Sequence, residues 1–90
     1  MEHPKLATGR IVHYRLSKAN CEDIDRRREA NRSLFGNAPR EGGVVPAIVV
    51  HPWSDTMFNG QAFLDGNDTL WLSSVEMGEG PGTWFWPPRD

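Results

Sequence analysis

Cysteine, long apolar runs and, over half the chain, basic residues are what this sequence lacks. One cysteine, Cys21, in 90 residues rules out an intrachain disulfide and a four-thiolate metal site, and it fits a reducing compartment. No apolar run approaches the ~20 residues of a membrane span, and no charged-then-apolar leader opens the chain. The expectation is an intact soluble protein with no membrane partner. Repeats and low-complexity tracts are missing too. The basic residues are all early: residues 42–88 hold no Lys or Arg and five acids, whereas residues 1–41 hold nine bases and six acids. A nucleic-acid binder wants a basic face, and here a solvated helix surface accounts for the bases. Nucleic acid is therefore not an expected partner.

Large aromatics are what the chain does have. It carries nine, four of them tryptophan, within a length that allows one small domain burying roughly 60% of its unfolded surface. So thin a core makes a homo-oligomer the expected state. The densest stretch closes the chain, Gly80-Pro81-Gly82-Thr83-Trp84-Phe85-Trp86-Pro87-Pro88. Each ring brings roughly 150–250 Å² that favours burial. The stretch reads as a short closing strand with Trp84 and Trp86 on one face and Phe85 on the other.

Upstream, residues 1–9 read as a flexible lead-in. Residues 11–16 alternate, with Val12, Tyr14 and Leu16 on one face, which is a strand pattern. Ser17 offers a helix cap, and acids Glu22, Asp23 and Asp25 precede bases Arg26, Arg27, Arg28 and Arg32, in keeping with the helix dipole. A surface helix is expected over 18–31, within an insertion reaching residue 34, with Cys21, Ile24 and Leu34 inward. Residues 36–43 form a loop. The β-branched run Val44–Val50 suggests a strand buried on both faces, with Pro46 at its start or at a bulge. Residues 58–64 and 69–75 are strands joined by the hairpin turn Asp65-Gly66-Asn67-Asp68. Strand, helical insertion, three-strand meander, Gly-rich corner and last strand is the order of a small five-stranded SH3-like barrel, a mainly β fold, spanning residues 10–88.

Rings near a barrel mouth can stack a planar ligand, and guanidinium groups can hold its anionic part. Trp53, Trp71, Trp84 and Trp86, with Tyr14, are the candidates for stacking or apolar contact, and at least two tryptophans should be exposed. Arg15, Arg26 and Arg40 are the candidates for anionic groups. On the helix, Glu22–Arg26, Asp25–Arg28 and Glu29–Arg32 can pair locally. Neither His13, His51 nor Cys21 has ligand spacing, so no metal or other cofactor is expected. His51, Ser54 and Asp55 close in a single turn, where turn formation explains the serine and the aspartate better than a catalytic triad.

The segments GRIVHYRLS, VPAIVVHPWSD, LDGNDTLWLSS and GPGTWFWPP together resemble a family of small bacteriophage proteins that end in Gly-Thr-Trp-aromatic-Trp-Pro. That resemblance implies a phage or prophage source and supplies no catalytic residues. GRIVHYRL followed by VPAIVV is also similar to the opening of the MazF/PemK toxins, SH3-like ribonucleases, with Val45 where those have arginine. The expected function is a non-enzymatic phage-encoded binding protein. It would act against host defence, sequestering a nucleotide-type small molecule or blocking a host protein in the host cytoplasm. A virion or assembly structural protein is the alternative, and a MazF-like endoribonuclease the third reading.

Overall fold

Val12, Tyr14 and Leu16 do share one side of the first strand, and all three are buried. The computed structural model describes residues 5–88. Its elements are β1 (Ile11–Arg15), α1 (Lys18–Ala30), β2 (Val44–Pro52), β3 (Met57–Phe63), β4 (Thr69–Glu76) and β5 (Trp84–Phe85). Residues 1–4 of the lead-in lie outside the described residues. Its remainder continues the ladder: Gly9 N–H donates to Val49 O at 2.7 Å, Thr8 Oγ1 donates to Val50 O, and Leu6 is buried.

The strands form one antiparallel sheet in the order β4-β3-β2-β1-β5. The sheet curls into a half-barrel, and with the helix inserted between β1 and β2 this is the small SH3-like arrangement expected. Two bulges supply the curl, since an extra residue bends a strand and increases its twist. One lies in β2 between Val49 and His51 and the other in β4 between Leu72 and Val75, both facing the Phe58–Gly60 segment of β3. Gly60 is required between them, because a Cβ there would lie 2.1 Å from Ile48 O.

Pro46 sits inside β2, not at its start or at a bulge. Val49 N–H donates to Arg10 O, so alternate residues of β2 direct their amides to β1 and the others, Pro46 included, towards β3. The ladder with β3 ends at Ala47↔Ala62, so no bond is lost at Pro46. The expectation that β2 is buried on both faces fails. Ala47 and Val49 are in the core, whereas Val44 and Val50 are exposed, because among the described residues no second layer covers the outer side of the sheet.

Trp84 closes the barrel. It is fully buried, its indole Nε1 donates to Thr56 O at 2.8 Å, and Phe58 and Trp86 meet its ring edge-on at 5.8 and 5.3 Å. Gly78 N–H bonds Trp84 O, and Met77 bridges Trp84 in parallel. The end of β4 is thus tied to β5 on the far side of the curl.

The helix starts on a capping box: Ser17 Oγ accepts from Asn20 N, and Asn20 Oδ1 accepts from Ser17 N. Ile24 is its one buried residue, while Cys21 is partly buried against the core and Leu34 lies outside the core cluster. The following loop crosses the β3–β4 turn at Gly36↔Gly66. A Cβ on Gly36 or Gly66 would come 2.2 or 2.4 Å from backbone oxygen. Asn67 clamps the crossing by accepting from Phe35 N and donating to Ser33 O.

Trp84→Ala is expected to cost about 3–5 kcal/mol, and Trp84→Phe less, since the ring volume is mostly kept and the bond to Thr56 O alone is lost. Urea titration of the two variants checks the order.

Candidate functional site

The candidate aromatics fall into two groups. Trp84 and Tyr14 are core residues, at 0% and 4% exposure, and neither ring is available to stack a ligand. The Tyr14 hydroxyl donates to Asn20 Oδ1, and burial pushes its phenol up, partly offset by that bond. Trp86 is partly buried on the same side as Trp84, and Phe85 is on the opposite face. That division follows strand alternation. Trp53 and Trp71 are exposed, at 56% and 52%.

The arginines do not gather around them. Arg15 lies 3.8 Å over the Phe85 ring and donates to Gly78 O. Arg26 pairs with Asp23 at 3.3 Å, and Arg27 pairs with the same carboxylate while donating to Thr69 O. Of the expected local pairs, Glu22–Arg26 gives way to Asp23–Arg26 and Asp25–Arg28 to Asp68–Arg28, and Glu29 and Arg32 form no ion pair among the described residues. Arg40 is exposed beside Arg28, Pro39 and Asp65 at a small cavity of about 110 Å³ on the helix side. Among the described residues the one arginine stacked on an aromatic ring is Arg15, on Phe85.

Arg28 has a different role, which local spacing hid. Its Nε and Nη2 each lie 2.9 Å from an Asp68 carboxylate oxygen, and Nη1 donates to Asn37 O at 2.8 Å. The two side chains are 13% and 2% exposed. The guanidinium holds the Asp68 carboxyl below the usual carboxylate range, and Asp68 in turn raises Arg28. Asp65 and Asn67 are turn residues, as expected, but Asp68 is the buried partner of the helix.

Around Trp53 the side chains are ordered by Asn59. Its Oδ1 accepts from Trp53 Nε1 at 3.1 Å and from Ser74 N at 2.6 Å. Ser74 is in the left-handed region at φ 52. One carboxamide thus fixes an exposed indole and the β4 bulge. His51 meets the Trp53 ring edge-on at 4.3 Å. Ser54 Oγ accepts from Thr56 N and Met57 N, which is the turn-forming use expected of it. No hydrogen bond joins either imidazole to a serine or cysteine, and no group of three His, Cys, Asp or Glu is placed to hold a metal, among the described residues. Burial, then Asp25 and Glu41, push the Cys21 thiol up, which makes it a poor nucleophile.

What the fold does assemble is the outer face of the sheet. Cross-strand register lines up Ile11, Ile48, Gln61 and Trp71 in one row over four strands. Phe63, 46% exposed, and Val44 flank it. Strands β1, β2 and β3 carry one formal charge in total, Arg15. Half-exposed rings and β-branched residues thus lie side by side on a face with almost no charge. Sequence reading singled out Trp71 but not Phe63 or Ile11. The uncharged run of three strands was the available signal.

The second concavity is an open groove of about 350 Å³ between β4 and the start of the helix, lined by Trp71–Glu76, Tyr14, Asn20 and Gly82. Among the described residues no helix is long and apolar enough to cross a membrane.

Because Asp68 is held down in the folded state, the pair stabilises fully above about pH 4. That contribution is lost as pH falls through the depressed value. Asp68→Ala should cost about 3–5 kcal/mol at neutral pH by leaving Arg28 buried and unpaired. Denaturant titrations at pH 7 and pH 3 check this: the gap between wild type and variant narrows at the lower pH. In comparisons with known proteins no family model, no curated protein and no solved structure matches this chain.

Proposed function

We propose that this is a non-enzymatic binding protein that blocks another protein by covering it with the outer face of its sheet. The observation that carries the reading is that face: Phe63, Trp71, Ile11 and Val44 are about half exposed on it, and Arg15 alone among the residues of its first three strands is charged. An aromatic centre in an uncharged field is the composition of an interface core. Its counterpart is a protein surface equally poor in charge, since a charged one would be desolvated without a partner.

Of the two targets expected from sequence, a host protein is favoured over a nucleotide-type small molecule. Arg26 is paired to Asp23, Arg40 lines the helix-side cavity with Arg28 and Asp65, and Arg15 is held by Phe85 and Gly78. The ribonuclease reading loses support at Val45, which packs against the core where the MazF/PemK pattern has a base. The phage setting rests on the closing Gly-Thr-Trp-Phe-Trp-Pro-Pro resemblance, and the place of action proposed with it is the host cytoplasm, with the virion as the alternative.

A photoreactive phenylalanine analogue at position 63, against one at Glu29 on the helix, tests the reading in bacterial cells. Discrete adducts with one host protein from position 63, and none from position 29, are expected. Equal adducts from both positions reject it. Ile11→Ser with Phe63→Ser should abolish the adduct formed from an analogue at Val44, with stability changed by about 1 kcal/mol or less. A panel of cyclic dinucleotides and ADP-ribose derivatives should leave tryptophan emission and thermal midpoint unchanged; a saturable shift would restore the nucleotide reading.

A further inference from the structure

Strand β4 forms one edge of the sheet, and the middle of that edge is open. Leu64 N–H donates to Asp68 O, so in the register that follows, Leu70 and Leu72 direct their backbone groups to β3 and Thr69, Trp71 and Ser73 direct theirs away from it. Thr69 O accepts from Arg27 Nη1 at 3.2 Å, which agrees with this assignment and covers that end. At the other end Met77 is bridged to Trp84 in β5. Between these two closures the outward N–H and C=O groups of Trp71 and Ser73 meet no other strand among the described residues.

They line the groove of about 350 Å³ described above, whose opposite bank is Tyr14, Asn20 and Gly82. The volume is within the range of binding pockets, roughly 300–1,000 Å³. We propose that this slot is a strand-addition site that takes an extended segment of a partner polypeptide, hydrogen-bonded through the outward backbone groups of Trp71 and Ser73. The site is independent of the outer-face reading.

Four observations select this occupant. Donors and acceptors repeat along β4 at the two-residue spacing of a strand, which only another extended backbone matches along its length. Ser73 and Ser74 are small, so a backbone can approach. The β4 bank carries the carboxylate of Glu76, and residues 42–88 contain no Lys or Arg, so the segment that fits has a Lys or Arg at the Glu76 end. On the opposite bank, Asn20 uses its Oδ1 for Tyr14 and Ser17, and its Nδ2 amide is a donor that no hydrogen bond among the described residues uses.

A displayed library of randomised eight-residue peptides, selected against the full chain, supplies the probe. The strongest binder is then synthesised with its amides N-methylated one position at a time. Methylation at alternate positions should weaken binding about tenfold, and at the intervening positions hardly at all. Amide exchange at Trp71 and Ser73 should slow on binding. Ser73→Pro should lose binding by at least the same factor at an unchanged thermal midpoint, because proline is tolerated where a strand N–H faces outward. Should that variant unfold, the methylation pattern and the exchange data decide alone. Failure to select any binder, a binder indifferent to methylation, or protection confined to the outer face overturns the proposal. A dimer that Ser73→Pro turns into monomer also overturns it, with a second copy as the occupant instead. None of these outcomes bears on adducts formed from position 63.

Discussion

Arg28 and Asp68 stand 40 residues apart and meet as a bidentate pair with both side chains largely buried. The placement of the helix depends on that contact. The helix buries only Ile24 fully, too little apolar area to fix its orientation against the sheet. Arg28 supplies direction instead, since a planar fork matched to a carboxylate accepts few alternative geometries. The same guanidinium holds Asn37 O, so helix, crossing loop and β3–β4 turn are joined at one point. An apolar pair of similar volume could stabilise as well, but it would not specify the angle.

Once the helix is held there, the barrel has two unlike sides. The inner side is filled by Trp84, Phe58 and the alternating apolar residues of four strands, and the outer side has no layer over it. Alternation normally makes such a side polar. Here β1 to β3 keep Ile11, Ile48, Val44 and Phe63 outward and almost no charge, at a cost in solubility that a docked partner would offset. The open stretch of the β4 edge has the same character. Arg27 covers one end and the Met77–Trp84 bridge the other, as edges are usually protected, yet the middle is left free. Both surfaces are departures from a self-sufficient small barrel, and the two proposals rest on them separately.

Much of the architecture was legible. The period-two patterns of residues 11–16 and 69–75, the Asp65–Asp68 turn and the Ser17 cap each rest on interactions among neighbours. The closing strand's faces were legible for the same reason, with Trp84 and Trp86 on one side and Phe85 on the other. The candidate site was less so. Tyr14 and Trp84 looked like ligand-binding rings and are core, and Arg26, a candidate for anionic groups, is paired to Asp23. Nothing local marks Asn59, whose carboxamide joins Trp53 to the β4 bulge.

By itself the sequence determined the element types, their order and which residues face each other's side of a strand, because those follow from backbone sterics and spacing within a few residues. Tertiary structure alone decided the Arg28–Asp68 pair, the exposure of Val44 and Val50, and the open edge at Trp71 and Ser73. Each of these depends on what approaches from elsewhere in the chain: a carboxylate 40 residues away, an outer side that no second layer covers among the described residues, and a β5 contact that reaches β4 only at Met77. Whether a ring is core or contact surface depends on what packs across from it, and spacing along the chain carries no record of that.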